Sequence, residues 1–413
     1  MIEQQEQLII GGISTTELVD QFSTPLYVYD AQKIRHQYRR LADAFGSQCS
    51  DFLINYAVKA NTNPDIVDIL VQEGAGLDTA SKAEIDLAEA VNADEILFTA
   101  PYNTKEEIAY ARRSSAILNV DSAFILDKID DMPNEICFRI DPGIGKGEYG
   151  LAFGGGDTKF GIPETQAIDV YKRAKNRGAS RFGIHMMTGS NIRDPHYFGE
   201  ITEKLVTIAG SLSEELTINF DFIDIGGGLG IPYKPDDQEL DIEQTASIVT
   251  DALARGKQKY DIGDPQLWIE PGRYLVAQAG VLLTTVTGVK EKGGTVYVGV
   301  DTGMHHNIRP MLLDGYHEIV VANDCTRPND GEKTIVGPVC SSIDTMAQDR
   351  SLPHIEQGDI LAIRDIGAYG FTLASHFNSR PLPAEVLVDS GTASVIRKRE
   401  QPEAIFHGTT FTK

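Results

Sequence analysis

An eightfold alternation of short β-rich segments with segments of helical pattern constrains the fold of this chain more than any other feature. The β-rich segments are residues 52–58, 76–79, 96–99, 117–120, 136–140, 181–185, 222–225 and 267–270. Eight such units over about 240 residues predict a closed (β/α)8 barrel of the TIM type, for which about 250 residues are typical. An open doubly wound sheet is the alternative, but the lack of a reversal signal favours closure.

A different pattern begins after residue 280. Here β-rich segments follow one another without helical patterns between them, at residues 281–289, 296–300, 319–322, 334–336, 360–363 and 385–388. We expect three parts: an N-terminal segment (1–30) whose strand joins the β domain, the barrel (31–280), and a C-terminal all-β domain (281–413). The glycine-rich loop 143–161 is expected to be either a mobile lid or a solvated excursion.

The excess of acidic over basic side chains limits the classes of partner that the chain can bind. The 413 residues include 37 basic and 60 acidic side chains, and the net charge of −23 argues against a nucleic-acid partner. The first residues lack the basic and apolar regions of a signal peptide, and no run is long enough to cross a bilayer. A reduced, cytoplasmic setting without a metal site is expected, because four cysteines show no metal-ligand spacing: Cys49, Cys137, Cys325 and Cys340.

Lys59 follows the first predicted strand, and the C-terminal ends of strands are where barrels place their chemistry. Taken alone, Lys59 could be a lysine that extends its ammonium group to the rim. Glycine- and acid-rich segments further along the chain favour another interpretation. Together with them, Lys59 is predicted to be the Schiff-base lysine of a pyridoxal phosphate (PLP) enzyme.

The seventh and eighth predicted strands are followed by segments that suit this cofactor. Three consecutive glycines begin at Gly226 and can turn backbone N–H groups toward an anion, although a plain tight turn is the alternative. Glu270 ends the eighth strand, where a carboxylate would keep a pyridine nitrogen protonated and the ring an electron sink. Gly272 and Arg273 follow it and are placed to contact a phosphate. A structural salt bridge of Glu270 and Arg273 is the alternative.

In these segments the chain resembles the fold type III PLP decarboxylases, the ornithine and diaminopimelate decarboxylase family, from about residue 25 to 395. Its bacterial diaminopimelate decarboxylases look most similar. The matching segments are Tyr56-Ala57-Val58-Lys59-Ala60-Asn61, Asp78-Thr79-Ala80-Ser81-Lys82-Ala83-Glu84, Lys159-Phe160-Gly161, Gly226-Gly227-Gly228, Glu270-Pro271-Gly272-Arg273, Gly337-Pro338-Val339-Cys340 and Gly367-Ala368-Tyr369-Gly370. The resemblance implies an alanine racemase-like barrel with a β domain, PLP as the cofactor, and an obligate homodimer with two shared active sites.

The resemblance also implies roles for individual residues. Lys59 would bind the cofactor aldehyde, Glu270 would pair with the pyridine nitrogen, and Cys340 from the partner subunit would protonate Cα after CO2 leaves. A buried structural thiol is the alternative for Cys340. The other implied cofactor-binding residues are Asp78, Met187, Ser190, Gly227, Gly228, Gly272, Arg273 and Tyr369.

The distal pocket is expected to select the substrate. Arg309 and Tyr316, with Arg273, resemble the residues that bind the second carboxylate of diaminopimelate, and Ser341 and Tyr369 complete the expected substrate-binding set. A guanidinium suits a carboxylate because its planar fork donates two parallel hydrogen bonds. Ornithine and lysine lack a distal carboxylate and would leave Arg309 without that partner.

Two positions depart from the family pattern. Ser341 stands where a glutamate usually binds the distal amine, a change expected to cost on the order of 2 kcal/mol of recognition. Met187 stands where a histidine usually stacks on the cofactor ring; a thioether packs on a π face but lacks the polarity of an imidazole. His185 is expected to line the barrel interior. Related enzymes of specialised pathways also vary at the two departing positions.

The sequence therefore predicts a PLP-dependent carboxy-lyase for a small amino-acid substrate, with meso-diaminopimelate to L-lysine and CO2, a step of lysine biosynthesis, as the best single hypothesis. The alternative is a related decarboxylase of a modified or carrier-bound amino acid. A fold type III racemase is disfavoured, because racemases resemble one another in placing an arginine where this chain has Glu270. A non-catalytic PLP carrier would not need the residues after Gly280, and a structural protein gives no reason for Lys59 at a strand end.

Overall fold

Two units make up the part of the chain that the computed structural model describes, residues 6–147, 154–156, 158–313 and 315–410. The barrel unit contains His36–Pro232 and Gln238–Tyr274. The β unit contains the residues up to Arg35, Tyr233–Asp237, and the residues from Leu275 onward. The predicted loop 143–161 lies partly outside the described residues, and the domain boundaries at residues 30 and 280 stay predictions. Within the described ranges, no helix is both long and apolar enough to cross a membrane.

Eight parallel strands close into a ring in the barrel unit, as the alternating pattern predicts. In chain order they are Phe52–Ala57, Gly76–Thr79, Ile96–Thr99, Ile117–Val120, Glu135–Asp141, Arg181–His185, Phe222–Asp224 and Gln266–Ile269. Each strand pairs with the next, and the last pairs with the first, with Leu267 opposite Phe52. Because all eight are parallel, their C-terminal ends lie around one rim.

Helices alternate with these strands, and several of them begin at a side chain that caps the first turn. The α-helices of the described chain are Thr15–Phe22, Ala31–Gly46, Pro64–Gln72, Lys82–Ala90, Lys105–Arg113, Ala167–Asn176, Pro195–Leu216, Ile242–Lys259, Arg273–Val276 and Arg309–Leu313. The Asp65 N–H donates to the Asn63 side chain, and Pro64 occupies the first turn, so this helix begins a few residues after Lys59. The helical pattern at residues 122–129, one of the segments that alternate with the predicted strands, predicts an α-helix; this was wrong, since the short connection forms the tighter 3-10 turn Ala123–Lys128.

The β unit is built on one sheet with the strand order Thr345–Pro353, Asn329–Val336, Thr295–Val300, Gly280–Lys292, Leu26–Asp30, Ala384–Asp389 and Thr392–Arg397. Ile360–Ile363 pairs with Gly280–Lys292 and with Ile319–Val321. The N-terminal strand Leu26–Asp30 runs antiparallel to Gly280–Lys292 and parallel to Ala384–Asp389. It therefore joins this sheet, as the sequence predicts. The remaining short strands are Ile9–Ile10, Ile13–Ser14, Lys146–Gly147, Ile162–Pro163 and Gly189–Ser190.

The apolar core of this sheet explains which of its strands could be predicted from the sequence. Val28, Val281 and Val386 are fully buried in one apolar cluster, and their strands were predicted. The strands Thr345–Pro353 and Thr392–Arg397 were missed. Both contain many polar or exposed residues and are held mainly by backbone pairing with their neighbours, which leaves only a weak apolar pattern.

Candidate active site

Lys59 lies on the 3-10 turn Val58–Ala60, directly after the first barrel strand. Its Nζ atom lies 2.6 Å from Oδ2 of Asp78, a residue of the second strand. Asp78 is buried, whereas 47% of the Lys59 side chain is exposed. Burial and the nearby Glu270 raise the pKa of Asp78, and Lys59 opposes that rise. The ion pair therefore fixes the position of the amine at the rim while leaving it accessible.

Glu270 follows the last barrel strand, and its side chain is 4% exposed. Its Oε2 atom lies 3.1 Å from Nε2 of His185, which ends the sixth strand. Burial raises the pKa of Glu270, but the neighbouring His185, Lys59 and Arg139 outweigh it and hold the pKa below its ordinary value. Among the described residues, Oε1 finds no hydrogen-bond partner. The rim thus presents an ionised carboxylate with one oxygen available to a ligand.

The pKa of Asp224, at the end of the seventh strand, shifts in the direction opposite to that of Glu270. Burial and the charge of Glu270 raise the pKa of Asp224 well above the ordinary value, whereas the pKa of Glu270 is lowered. Its Oδ1 atom accepts a hydrogen bond of 2.8 Å from the Gly226 N–H. Ligand atoms of His185, Asp224 and Glu270 lie within 4.8 Å of one another, so these residues have the donors of a metal site. The hydrogen bond between His185 and Glu270 already occupies one donor atom of each.

The glycine loop after the seventh strand packs backbone against backbone. A Cβ atom on Gly227 would collide with the carbonyl oxygen of Glu270. Gly228 has a φ of 98°, which favours glycine. Gly272 is also enclosed, because its Cβ would lie 2.9 Å from the Cβ of Ala60. Glycine is therefore required here by the packing of the protein itself, as well as by any ligand that approaches the loop.

Met187 and Ser190 lie between the sixth strand and the following helix, and both are half-buried. The Met187 Sδ atom accepts a hydrogen bond of 3.3 Å from the Gly227 N–H, so the thioether contacts the glycine loop. Ser190 belongs to a two-residue strand that pairs with Lys146–Gly147. Arg273 begins the short helix after the last strand. The predicted residues of the barrel unit therefore all lie at or just beyond the C-terminal ends of barrel strands.

Arg139 is a charged residue of this rim that the sequence reasoning missed. It lies on the fifth strand, with its Nη1 atom 3.6 Å from Oδ2 of Asp121 and its guanidinium 4.6 Å from the ring centre of Phe160. Burial lowers the pKa of Arg139. The available signal was an arginine between apolar residues inside a predicted strand. His185 was expected to line the barrel interior, and it is fully buried there.

In the β unit, Arg309 and Tyr316 lie together. Arg309 is 2% exposed, and its Nη1 atom donates a hydrogen bond of 2.9 Å to the Tyr316 carbonyl oxygen. The guanidinium lies 3.8 Å from the ring centre of Tyr233. On another side, a Cβ atom on Gly315 would lie 2.7 Å from the Arg309 Nη1 atom. The ring of Tyr316 in turn lies against the guanidinium of Arg350, at 3.5 Å. Packing on two sides therefore fixes the orientation of the Arg309 fork.

Cys340, Ser341 and Tyr369 lie on loops of the β unit. Cys340 is exposed, and its Sγ atom accepts a hydrogen bond of 3.1 Å from the side chain of Asn378, a residue that the sequence did not single out. The Ser341 N–H donates to the Val339 carbonyl at 2.8 Å, which bends the chain sharply at the cysteine. Tyr369 is half-buried and has a φ of 57°.

A barrel rim with a lysine, an ionised carboxylate and a tightly packed glycine loop has the features of an enzyme that binds pyridoxal phosphate. Residues 31–277 match the family described as pyridoxal-dependent decarboxylase, pyridoxal binding domain. The chain belongs to this family. The fold class and the family predicted from the sequence are thus confirmed.

Several members of this family are similar to the chain over nearly its full length. The chain is 41% identical to the diaminopimelate decarboxylase of Methanothermobacter thermautotrophicus, over 98% of this chain and 96% of the relative. It is 34% identical to Protein TabA of Pseudomonas amygdali pv. tabaci, over 96% of both proteins. The crystal structure of diaminopimelate decarboxylase from Methanocaldococcus jannaschii in complex with L-lysine matches with a TM-score of 0.91 at 31% identity, covering 99% of this chain and 97% of that one.

Proposed function

We propose that this protein is a PLP-dependent carboxy-lyase that converts meso-diaminopimelate to L-lysine and CO2. The observation that carries the proposal is the ionised Glu270 at the same rim as the Asp78-paired Lys59. The full-length similarity to proteins named diaminopimelate decarboxylase supports the substrate. A racemase is the weaker candidate, because an anionic carboxylate at the pyridine nitrogen strengthens the electron sink that decarboxylation needs.

The residues of the rim fit pyridoxal phosphate. The Oε1 atom of Glu270, which has no hydrogen-bond partner within the described ranges, is an acceptor for a protonated ring nitrogen, and the exposed amine of Lys59 suits a bond to the aldehyde carbon. When bound, the cofactor supplies a ring that takes up the electron pair of the Cα–CO2 bond. We propose that the phosphate is held by backbone N–H groups and side chains of Ser190, Gly227, Gly228, Gly272, Arg273 and Tyr369.

The buried charges of the rim prepare Glu270 for this role. His185 holds the Glu270 carboxylate by the hydrogen bond at 3.1 Å, and the raised pKa of Asp224 favours the neutral form of this neighbouring carboxyl group. We propose that Asp78 positions the Lys59 amine and that Met187 packs on the ring in place of the usual histidine. Its Sδ atom already accepts the Gly227 N–H, which supports a location beside the glycine loop.

Cys340 is proposed as the acid that completes the reaction. The Cα–CO2 bond breaks, CO2 leaves, and the Cys340 thiol transfers its proton to Cα. The resulting thiolate recovers a proton from solvent, so the step needs no other reactant. We propose that this cysteine reaches the site from the second copy of a homodimer. The exposure of Cys340 in the single chain supports that arrangement.

The proposed partners are therefore the amino-acid substrate and a second copy of the chain, with neither nucleic acid nor membrane. We further propose a cytoplasmic setting. It is supported by the four cysteines, each of which is present as a thiol rather than in a disulfide.

We propose that Arg309, Tyr316 and Arg273 select the distal carboxylate of the substrate, with Ser341 and Tyr369 completing the pocket. The test is CO2 release by the PLP-loaded protein from meso-diaminopimelate, ornithine, lysine and arginine, measured side by side. We expect rapid release from diaminopimelate and at least 100-fold slower release from the others, since roughly 3 kcal/mol is lost when a charged partner is missing. Equal rates on ornithine or lysine would contradict the assignment.

A second candidate, decarboxylation of a modified or carrier-bound amino acid, is favoured by two observations. Ser341 offers no charge to a free distal amine, and TabA is a full-length relative whose name is not that of a diaminopimelate decarboxylase. The Ser341→Glu variant separates the two candidates. If it raises activity on meso-diaminopimelate at least tenfold, the natural substrate lacks a free distal amine; an unchanged or lower rate supports diaminopimelate.

A further inference from the structure

We propose that Asn378 is a positioning residue for Cys340. One hydrogen bond to the thiol sulfur and one from the Cys340 backbone N–H together hold the thiol in the orientation from which it donates its proton. The inference rests on the proposed decarboxylase function. It adds a residue that acts through Cys340 and does not itself touch the reacting atoms.

Both polar atoms of the Asn378 side-chain amide form hydrogen bonds with Cys340. Nδ2 donates to the Cys340 Sγ atom at 3.1 Å, and Oδ1 accepts the Cys340 backbone N–H at 3.0 Å. One hydrogen bond between exposed groups contributes little, because water competes for both partners. Two bonds that share one planar amide, however, restrict the backbone and the sulfur together. The side-chain torsion of Cys340 is therefore tied to the plane of the Asn378 amide.

The backbone at Asn378 is shaped to present this amide. Asn378 lies in the 3-10 turn Phe377–Ser379 with φ 59° and ψ 25°, the left-handed conformation. Asparagine is one of the few residues other than glycine that visits this conformation readily. Ser379 follows with a φ of 51°. A left-handed asparagine thus both forms the turn and directs its side chain to a loop 38 positions away in sequence.

The backbone of the Cys340 loop is fixed separately, from its buried side. The Asp344 carboxylate accepts the Val339 N–H at 2.8 Å through Oδ2 and the Met304 N–H at 2.6 Å through Oδ1. A Cβ atom on Gly337 would collide with this carboxylate, so the loop closes tightly around it. Asp344 therefore holds the path of the chain, while Asn378 holds the thiol.

The chemistry of proton donation explains why the thiol would need such a partner. After Cys340 has protonated Cα, its sulfur carries a negative charge that an N–H donor stabilises. Before the step, the same donor occupies one lone pair of the sulfur and limits the directions in which the S–H bond points. Loss of the Asn378 amide is expected to slow proton return to Cα and to increase turnovers in which the proton reaches the cofactor carbon instead.

Two variants and a matched control test the proposal in the PLP-loaded full-length protein. Asn378→Gly removes the amide while tolerating the left-handed backbone, and Asn378→Asp keeps the shape but replaces the donor by a negative charge. Ser379→Gly is the control, because it changes the neighbouring left-handed residue and leaves both hydrogen bonds. The first readout is the rate at which iodoacetamide alkylates Cys340, measured by peptide mass spectrometry relative to Cys49 in the same molecule.

We expect at least threefold slower alkylation of Cys340 in Asn378→Gly and a larger decrease in Asn378→Asp, with Ser379→Gly equal to the wild type. The second readout is the fraction of meso-diaminopimelate turnovers that convert the cofactor to pyridoxamine phosphate. It should rise at least threefold in both Asn378 variants and approach the value of Cys340→Ala. Asn378 variants that match Ser379→Gly in alkylation would overturn the proposal. If the wild type releases no CO2, the decarboxylase assignment fails, yet the alkylation ratios still decide the role of Asn378.

Discussion

The barrel unit and the β unit hold their reactive side chains by different means. At the barrel rim, buried groups shift one another's pKa: His185, Lys59 and Arg139 hold the pKa of Glu270 below its ordinary value, whereas burial and the charge of Glu270 raise the pKa of Asp224. In the β unit, Cys340 is exposed on a loop and is oriented by hydrogen bonds from a single asparagine. The electrostatics of the rim are therefore fixed when the barrel folds, whereas the environment of the thiol is local and is changed easily by substitution.

The largest expected effect comes from removing the rim amine. Lys59→Ala should abolish the visible absorbance of the bound cofactor and lower turnover by more than ~10⁴-fold, the scale seen when an essential nucleophile is lost. Lys59→Arg is the matched control, because it keeps a cation beside Asp78 but cannot bond to the aldehyde. We expect Lys59→Arg to be equally inactive. A variant that kept the absorbance would remove Lys59 from its proposed role.

A smaller loss is expected when the charge of Glu270 is removed but its shape is kept. Glu270→Gln should lower kcat by about 10²–10³-fold with little change in KM, because the carboxylate acts on charge that develops in the reaction. Glu239→Gln, at an exposed carboxylate of the same unit, should leave kcat unchanged. Steady-state kinetics on both variants check this. A kcat loss below tenfold for Glu270→Gln would mean that the buried charges of the rim do not drive the reaction.

In the β unit, the fork of Arg309 is tested by a change that keeps its charge. Arg309→Lys should weaken binding of meso-diaminopimelate by about 10–100-fold, since a charge-assisted hydrogen bond contributes about 1.5–3 kcal/mol. Binding of lysine, which lacks the distal carboxylate, serves as the internal reference and should change less than threefold. Spectral titration of the bound cofactor measures both affinities. Equal losses for the two ligands would show that Arg309 supports the fold of the pocket and does not select the substrate.

The smallest effect concerns stability rather than catalysis. A carboxyl group with a raised folded pKa keeps its proton in the native state, so its contribution to stability is full below about pH 4 and is lost as pH rises toward that raised pKa. Asp224→Asn removes this loss. We expect the decrease in the free energy of unfolding between pH 5 and pH 8 to be about 1 kcal/mol smaller in the variant. Denaturant titrations at both pH values, with exposed Asp20→Asn as control, measure it; parallel curves would contradict a raised pKa of Asp224.

The features that could be predicted from the sequence also differ from one part of the molecule to another. The barrel was predictable because its strands are short, apolar and regularly spaced, and the approach of Lys59 to Asp78 follows from two neighbouring parallel strand ends. The contacts of His185 with Glu270 and of Arg139 with Asp121 were not predicted, since a buried charge network depends on distances across the closed barrel. The contact of Asn378 with Cys340 was missed for a related reason, because neither loop has a periodic pattern that fixes its path.

The strand Leu26–Asp30 has a consequence for how the protein is made. It lies in the middle of its sheet, and one of its two neighbours is Ala384–Asp389. A ribosome adding roughly 5–20 residues per second needs on the order of 20–70 s to travel from the first of these strands to the second. Throughout that interval at least one backbone edge of Leu26–Asp30 has no neighbouring strand, while the barrel is being synthesised. Premature termination before Ala384 would therefore leave Leu26–Asp30 with an unpaired edge inside the sheet.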